Sequence, residues 1–481
     1  MKTNVRKKRR IGRWIALAAV LILLYVLVSG VLPFARHAEV SESFAATVSS
    51  AAFYGDTPGT DRVALVETPA EGFDTRLHML DEATTRIDVS YYAMQMGETT
   101  DLFLGALLDA ADRGVQVRIL VDGLFGGLAR FHKAYAVALG AHPNIEVRVY
   151  NPPHALMPWT WNGRLHDKYI LIDDRLLLMG GRNIGDTYFA PESYEKALTL
   201  DRDVLVYNTA GSDGEASAVF AVRRYMDAIW ESGDVRAPFA RDTRRGAERR
   251  AALLENYRRF AADTPALFDH ADDDYMAWTY AANRITFFHN DTQIGVKEPK
   301  VGYVLGELLT DARESVVMQT PYVIPDAALE ETLQELGERK IDATMLTNSI
   351  AASPNPIACS TYYGYRRAIV QSGVQLLEYQ GEGSLHAKTY LIDDRLAVVG
   401  SYNLDPRSAY IDTEMMLAID SPEFTQHLKQ TVEIYRRQAL EVDAAGGYAA
   451  DAAVVPRPVS AFKWAMVYLL FLPARAFRFL V

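Results

Sequence analysis

The chain has 481 residues, of which 49% are hydrophobic and 23% charged. This length and composition indicate a folded protein with room for two domains of ordinary size, and they exclude a long disordered tract. The formal net charge of −11 argues against a broad nucleic-acid-binding surface, which is normally basic. Cys359 is the single cysteine, which excludes an intrachain disulfide and a metal site built from cysteines.

The first 35 residues predict a membrane anchor. Basic residues cluster at the start: Lys2, Arg6, Lys7, Lys8, Arg9, Arg10 and Arg13. Residues 14–35 then carry no charge, and a helix of that length spans the roughly 30 Å hydrocarbon core of a bilayer. The basic flank predicts a single-pass anchor in the cell membrane, with everything after residue 36 on the extracytoplasmic side. The alternative is a cleaved signal peptide, although no convincing cleavage site follows the apolar stretch.

Past a small, polar spacer at 36–61, the chain alternates predicted strands with predicted helices. The strands are expected at 63–67, 86–94 and 115–122, and the helices at 73–83 and 102–113. Such alternation predicts a sheet covered by helices.

The second half repeats this order. Helices are predicted at 301–314, 329–339 and 362–372, strands at 316–320, 342–346 and 375–379, and a turn at 322–325. The repeat therefore covers whole domains. The predicted divisions are an anchor at 1–35, a linker at 36–61, a first domain at 62–235, a connecting helical segment at 236–284, a second domain at 285–440 and a tail at 441–481.

Three further segments allow two interpretations each. The clustered Arg244, Arg245, Arg249 and Arg250 predict a solvated helix face, with phosphate or lipid-headgroup contact as the alternative. Residues 460–481 are apolar and aromatic with interspersed Lys463, Arg475 and Arg478. That pattern fits an amphipathic segment on a membrane surface or packing against the folded domains. Trp159 and Trp161 are interpreted as packing residues, with a lipid entrance as the alternative.

The most informative feature is a polar motif that occurs twice. The first copy comprises His166, Lys168, Asp173, Gly180, Gly181 and Asn183, and the second comprises His386, Lys388, Asp393, Gly400, Ser401 and Asn403. Every position in the second copy lies 220 residues after its counterpart. Two matching copies are very improbable by chance, so the histidines are interpreted as catalytic and not as ordinary core residues.

The spacing places the motif side chains. Alternate residues of a strand share a face, so His166 and Lys168 point the same way, as do His386 and Lys388. Asp173 and Asp393 end their strands, either within the catalytic set or, as we favour, holding the strand ends by ion pairing. The small pairs Gly180–Gly181 and Gly400–Ser401 are predicted to let the backbone approach a ligand closely.

If the copies meet across a pseudo-twofold axis, two histidines, two lysines, Asn183 and Asn403 converge on one pocket suited to a phosphate diester. One histidine can attack phosphorus when a carboxylate fixes its tautomer, and Asp203 and Glu414 are the predicted partners, with Asp201 in reserve. The other histidine can act as general acid and then base. The lysines and asparagines would stabilise the developing charge. This chemistry requires no metal, and no nucleotide-binding loop is visible, so no cofactor is expected.

The paired HxKxxxxD motifs, each followed by G-[GS]-x-N, resemble the phospholipase D superfamily and are most similar to the bacterial cardiolipin synthases. Supporting stretches lie at 106–115, 180–188, 320–325 and 400–408, and the resemblance extends over about 62–440. It implies an α/β fold of two similar phospholipase D-like domains, each a mixed sheet flanked by helices, packed pseudo-twofold behind an N-terminal transmembrane helix.

The resemblance also implies an activity. It would be phosphatidyl transfer through a phosphohistidine on the first-motif histidine, making cardiolipin from phosphatidylglycerol. The donor would be phosphatidylglycerol or phosphatidylethanolamine. The alternatives are hydrolysis of phospholipid, hydrolysis of nucleic acid, which the acidic charge disfavours, and a non-catalytic phosphate- or lipid-binding protein. The expected partners are phospholipids and the membrane, without nucleic acid.

Overall fold

The computed structural model describes residues 2–128, 132–238, 242–270, 275–448 and 454–481. The helices up to the middle of the chain are α1 Lys2–Val26, α2 Glu42–Ala45, α3 Pro69–Glu82, α4 Glu98–Asp112, α5 Lys133–Gly140, α6 Asp186–Phe189, α7 Ala218–Trp230, α8 Arg244–Asp263 and α9 Tyr275–Trp278. The later ones are α10 Lys300–Thr310, α11 Ala327–Glu338, α12 Pro356–Tyr363, α13 Arg366–Gln371, α14 Pro406–Tyr410, α15 Pro422–Arg436 and α16 Ala461–Ala476.

The strands fall into two runs. The first is β1 Asp61–Val66, β2 Arg86–Tyr91, β3 Gln116–Asp122, β4 Ile145–Tyr150, β5 Lys168–Ile172, β6 Leu176–Gly180, β7 Thr199–Leu200, β8 Asp203–Asn208, β9 Val235–Arg236 and β10 Tyr280–Ala281. The second is β11 Arg284–His289, β12 Ser315–Gln319, β13 Asp342–Asn348, β14 Gln375–Tyr379, β15 Ser384–Leu385, β16 Lys388–Ile392, β17 Leu396–Gly400, β18 Met415–Asp420 and β19 Ala439–Glu441.

Two large sheets share one topology, as the repeat predicted. Among the described residues, the first sheet has the order β10-β1-β8-β6-β5-β2-β3-β4-β9 and the second the order β11-β18-β17-β16-β12-β13-β14-β19. Parallel pairing of β2-β3-β4 is matched by β12-β13-β14, while β5 and β16 run antiparallel to their neighbours. Both sheets are therefore mixed, and the fold is the predicted pair of α/β domains.

The second half opens with a strand that the sequence did not single out, although the predicted domain boundary at 285 includes it. Strand β11 pairs antiparallel with β18 as β1 pairs with β8. Of β11 only Ile285 is buried, which left the strand without a strong alternating pattern. The predicted helix at 362–372 is also wrong as a single element, because α12 ends before Gly364 and α13 begins at Arg366.

The predicted spacer at 36–61 is packed against the second half instead of linking freely. Phe53 is buried in the core around β12, and the Ser41 hydroxyl donates to Glu298 at 2.8 Å. Only after crossing this surface does the chain enter β1. The predicted loose linker is thus part of the folded body.

The connecting segment forms the expected helix, α8, which packs on α4. Arg258 of α8 bonds Asp109 at 2.8 Å and Asp112 at 2.7 Å. In the arginine cluster, Arg244 is exposed and pairs with Glu248, whereas the guanidinium of Arg249 lies 4.6 Å from the ring centre of Tyr135. The cluster is therefore solvated at one end and packed at the other.

The two domains share an apolar core between their sheets. Its members come from both halves and include Leu120, Leu177 and Val206 of the first and Leu346 and Leu417 of the second. This packing, which excludes water from the interface, brings the two motif copies to the same region.

Candidate active site

The two motifs occupy equivalent positions at the starts of central strands. Lys168 opens β5 and Lys388 opens β16, with each histidine two residues earlier. The segment before each motif pairs with the other half: Leu165 bridges Thr413, and β15 pairs in parallel with β7. These reciprocal pairings fix each motif against the partner domain.

His166 contacts a carboxylate from the second half. Its Nδ1 lies 2.9 Å from Glu414 Oε1, and its backbone N–H donates to Thr413 Oγ1 at 2.9 Å. The Ser401 hydroxyl donates to Glu414 Oε2 at 2.5 Å. Glu414 therefore meets a histidine, as the sequence predicted, but across the domain interface.

His386 contacts a carboxylate from the first half. Its Nδ1 lies 2.6 Å from Asp201 Oδ2, and its backbone N–H donates to Leu200 O at 2.7 Å. Asp201 was the reserve candidate, and the prediction of Asp203 is wrong. A strand places residues 201 and 203 on one face, so the pattern could not choose between them.

Asp203 instead has structural partners. Its Oδ2 accepts from Arg76 at 2.9 Å and from Arg182 at 3.0 Å, with all three side chains buried. The sequence did not single out either arginine. Buried arginines on two different elements mark Asp203 as a residue that holds α3 and the loop after β6 to the sheet.

The residue after the first motif glycine differs between copies for a packing reason. A Cβ at Gly181 would lie 2.2 Å from Asp201 Oδ1, which no side chain permits. In the second copy the longer Glu414 reaches His166, and Ser401 occupies the space and donates to it. In each copy, the size of residue 181 or 401 therefore matches the length of the carboxylate side chain beside it: glycine with Asp201 and serine with Glu414.

The glycine pairs pack against the backbone of the neighbouring segment. The amides of Gly181 and Ser401 donate to Arg202 O and Met415 O. A Cβ at Gly180 would lie 2.3 Å from Arg202 O, and one at Gly400 would lie 2.1 Å from Met415 O. These small residues admit the segment that carries the carboxylate, and their contact with a substrate stays a prediction.

The two lysines are buried close to the histidines. Each Nζ donates to the backbone carbonyl of its own motif histidine, His166 or His386. Burial lowers the pKa of Lys168 to about 7 and that of Lys388 to about 8, against the raising effect of Glu414 and Asp201. Both therefore titrate near neutrality in the free protein.

The histidine pKa values are lowered by burial and by the lysines. The shift is large for His166, on which Lys168, Lys388 and His386 all act, and smaller for His386. Burial would raise the pKa of Asp201, but Lys388 and His386 hold it lowered, at about 2. Because the charges of each His–Lys pair shift the histidine pKa of the other pair, the two pairs lie in one buried site.

His166 and Glu414 form a buried pair in which both pKa values are shifted. Burial raises the pKa of Glu414 well above its ordinary value, against Lys168, while it lowers that of His166. A neutral imidazole with its N–H on Nδ1 directs the Nε2 lone pair away from the carboxylate. That is the form a nucleophile needs.

Asn183 and Asn403 are both buried beside the motifs. The Asn183 amide donates to Tyr188 OH at 3.0 Å and accepts from Ala93 N–H at 3.2 Å. Asn403 Oδ1 is buried with no hydrogen-bond partner in the described part of the chain. The structure thus positions Asn183 within protein contacts and leaves Asn403 oxygen for another group.

Aromatic side chains that the sequence analysis missed line the histidines. Tyr92 meets His166 edge-on with ring centres 4.9 Å apart, and Tyr188 meets His386 at 6.1 Å. Phe125, about half exposed, lies 5.1 Å from Tyr92. Tyr92 follows β2 directly, and its place at the end of a central strand was the available signal.

Asp173 and Asp393 lie at the far ends of β5 and β16, remote from the histidines. Asp173 accepts from the Thr84, Thr85 and Arg86 amides at 2.8–3.1 Å. Asp393 accepts from the amides of residues 313–315 at 2.8–3.0 Å. The structure therefore contradicts a place in the catalytic set, and the strand ends are held by backbone hydrogen bonds, not by the predicted ion pairs.

Within the described residues, one helical stretch, Arg10–Ala35, is long and apolar enough to cross a membrane. It leaves almost all of its surface exposed, and its end contacts the loop before the first motif. Tyr25 OH donates to Leu156 O, and Asn162 Nδ2 donates to Gly30 O, both at 2.7 Å. On this loop Trp159 and Trp161 are about 40% exposed, so packing alone does not describe them.

The tail helix α16 fits each of the two predictions in part, namely packing against the folded domains and an apolar membrane-facing surface. Val467 and Ala474 are buried, and Lys463 Nζ donates to the carbonyls of Ala351 and Ser353. The opposite side exposes apolar residues: Phe462, Tyr468, Leu469 and Leu472. One side packs on the second domain while the other remains an apolar surface.

A duplicated α/β fold whose domains exchange the carboxylates that hold each other's motif histidines defines a phospholipase D superfamily enzyme. Within that class, the chain belongs to the family described as "Cardiolipin synthase, PLD-like domain". The family model matches residues 77–210 and 305–435, which together make up more than half of the chain. Each matched range contains one motif.

Similar proteins, some with a named activity and some uncharacterized, align with most of the chain. Cardiolipin synthase C of Escherichia coli is 28% identical over 403 residues, covering 77% of this chain and 83% of that protein. An uncharacterized protein of Helicobacter pylori is 26% identical over 423 residues, covering 80% and 81%. The crystal structure of phosphatidylserine synthase from Haemophilus influenzae has a TM-score of 0.62 at 15% identity, covering 87% and 95%, and it shows the same fold.

Proposed function

We propose that this protein is a membrane-anchored phosphatidyltransferase that makes cardiolipin from phosphatidylglycerol. The observation that carries the proposal is the reciprocal arrangement of His166–Glu414 and His386–Asp201 between two buried lysines. Two oriented imidazoles supply a nucleophile and a proton carrier, and two ammonium groups suit the anionic phosphodiester between them. The similarity to a cardiolipin synthase supports the choice of lipid.

The first step is assigned to His166 as nucleophile. Burial and the nearby Lys168 lower its pKa well below the ordinary value, which favours the neutral imidazole, and its Nδ1 faces Glu414. Nε2 attacks the phosphorus of the donor lipid, the bond from phosphorus to the headgroup oxygen breaks, and His386 gives its proton to that oxygen. The product is a phosphatidyl group on His166 and a free alcohol.

The second step reverses these roles. A glycerol hydroxyl of phosphatidylglycerol gives its proton to His386 and attacks phosphorus, and the bond from phosphorus to Nε2 of His166 breaks. Lys168 and Lys388 stabilise the charge on the non-bridging oxygens in both steps, and one such donor is typically worth about 3–4 kcal/mol. Asn403, with its unpartnered oxygen, is proposed to bind a hydroxyl of the lipid.

The apolar surface beside the first motif supports a substrate that arrives from a membrane. The exposed Trp159 and Trp161 lie on the loop that contacts the end of the apolar helix and leads into His166. On the imidazole itself, the Tyr92 ring packs edge-on, and the half-exposed Phe125 ring lies 5.1 Å from Tyr92 between ring centres. We propose that Arg10–Ala35 anchors the chain in the cell membrane, with the catalytic domains on the extracytoplasmic side.

The testing experiment incubates the purified, detergent-solubilised protein with phosphatidylglycerol, alone and with phosphatidylethanolamine, and resolves the lipids by mass. We expect cardiolipin, lost in His166→Ala and in His386→Ala. Phosphatidic acid alone would make the protein a hydrolase, since water would then be the acceptor. Full turnover by both single variants would contradict the proposed mechanism. Absence of any lipid product would contradict the proposal that the substrate is a phospholipid.

A further inference from the structure

A second cluster of ligand-type side chains lies outside the active site. His78 and Glu82 stand one turn apart near the end of α3 and therefore share a helix face. His270 follows the short helical turn Pro265–Phe268, which packs on α3. One ligand atom from each of these three residues lies within 4.8 Å of the other two.

The hydrogen bonds of the histidines orient their rings. His78 Nδ1 lies 2.8 Å from the carbonyl of Leu267. A carbonyl only accepts, so this nitrogen carries a hydrogen. His270 Nε2 lies 3.0 Å from Asp81 Oδ2, so by the same reasoning it carries a hydrogen.

The carboxylate is oriented in the same way. Glu82 Oε2 accepts from Tyr275 OH at 2.9 Å and lies 4.0 Å from His270 Nδ1. The two imidazole rings are tilted by 43° with centres 4.4 Å apart. Each of the three residues thus has a supporting hydrogen bond, and the second oxygen of Glu82 lies 3.5 Å from Arg175 Nη1.

This pattern is that of a metal site with its supporting shell. Histidine ligands characteristically donate their other ring N–H to a carboxylate or a backbone carbonyl, and ligating carboxylates are themselves hydrogen-bonded. Around Zn²⁺, ligand atoms at about 2.0–2.1 Å in tetrahedral geometry stand about 3.3 Å apart. The 4.0 Å between His270 Nδ1 and Glu82 Oε2 exceeds that value by less than about 1 Å, so the side chains would need only a small movement to bind an ion.

We propose that His78, Glu82 and His270 bind one divalent transition-metal ion of the zinc class. Two imidazoles and one carboxylate are the donor set that suits Zn²⁺, and a fourth position remains for water or another donor. The cluster lies on the outer side of the first domain, where α3 meets the connecting segment. The ion would fasten that segment to α3, independently of the phosphotransfer chemistry.

The test uses the full-length protein in detergent, stripped with a chelator and titrated with zinc chloride. We expect one Zn²⁺ per chain by calorimetry and elemental analysis, and a raised thermal unfolding temperature in the zinc-bound protein. The double variant His78→Ala/His270→Ala should lose the ion. His142→Ala, which alters a histidine paired with Asp112 at 3.2 Å in the same domain, should keep it.

Two further measurements separate this site from others. Asp81→Asn should raise the dissociation constant by roughly 10–100-fold, as loss of a supporting hydrogen bond does. X-ray absorption on the wild-type protein should show two imidazoles, a readout that holds even where the double variant fails to fold. Zinc retained by the double variant, or lost from His166→Ala instead, would overturn the assignment, and so would absence of binding.

Discussion

Asp201 of the first domain and His386 of the second lie 2.6 Å apart, from Oδ2 to Nδ1. The equivalent pair, Glu414 and His166, crosses the interface in the opposite direction. Each motif histidine thus takes its carboxylate partner from the other domain. The catalytic unit we propose therefore exists only when the two halves are packed together.

Removal of the Asp201 carboxylate should inactivate the protein without unfolding it. In Asp201→Asn the amide cannot stabilise the imidazolium of His386, so we expect product formation to fall about 10²–10⁴-fold. The measurement is the rate of lipid product formation, with thermal unfolding as the check on folding. Asp213→Asn, at an exposed position of the same domain, serves as control. Unchanged activity in Asp201→Asn would show that the carboxylate is not needed.

Asp203→Asn should behave differently, because this residue has a structural role. Its loss leaves Arg76 and Arg182 buried without their counter-charge, and breaking a buried pair in this way destabilises by about 3–5 kcal/mol. Denaturant unfolding measures the change. Asp174→Asn removes a partly exposed pair with Arg223 and should change stability by less than about 1 kcal/mol. Equal stability of the two variants would contradict this assignment.

The two small motif positions should not be interchangeable. Gly181→Ser places a side chain against Asp201, and the resulting displacement of His386 should lower activity on the order of 10²-fold. Ser401→Gly deletes the hydroxyl that donates to Glu414 and accepts from the Met415 amide without forcing a side chain into the site, and we expect about a tenfold loss. Steady-state rates of both variants test the ranking, which fails if Gly181→Ser is the milder change.

Alkaline pH should lower activity but not stability. The pKa values of Lys168 and Lys388, about 7 and about 8, mean that the free protein loses positive charge as the pH rises through this range. kcat/KM should then decline as the pH rises above about 7, and more steeply above about 8. An unfolded lysine titrates near 10.5, so the unfolded chain binds more protons here, and these lysines contribute stability that increases with pH. The test is to measure kcat/KM and the free energy of unfolding between about pH 6 and 9. If activity and stability both fell as the pH rises, this prediction would be contradicted.

The exposed tryptophans should matter only at a lipid surface. Trp159→Ala/Trp161→Ala removes two aromatic anchors and should raise the apparent KM for vesicles by about tenfold or more, with little change in kcat on a short-chain soluble analogue. Trp278→Ala, also about half exposed but on α9, is the matched control. A similar loss on both substrates would show instead that the loop shapes the active site.

The sequence by itself determined that the chain repeats one unit twice and that the fold is α/β. It also singled out the two motif histidines and the two motif lysines as site residues. Identical spacing in two copies is a local property, and strand periodicity is enough to place His166 beside Lys168. It also identified Glu414 as a histidine partner. These inferences needed only neighbouring positions along the chain.

Tertiary structure alone decided which side chains meet across the interface. Asp203 opens β8 and Asp201 lies just before it, and only the packing of the domains shows that Asp201 reaches His386 while Asp203 is held by buried arginines. Asp173 was misinterpreted for the same reason, since its partners lie on a neighbouring loop and strand. A contact between residues about 185 positions apart depends on the free energy of the whole packed core, which no local pattern contains.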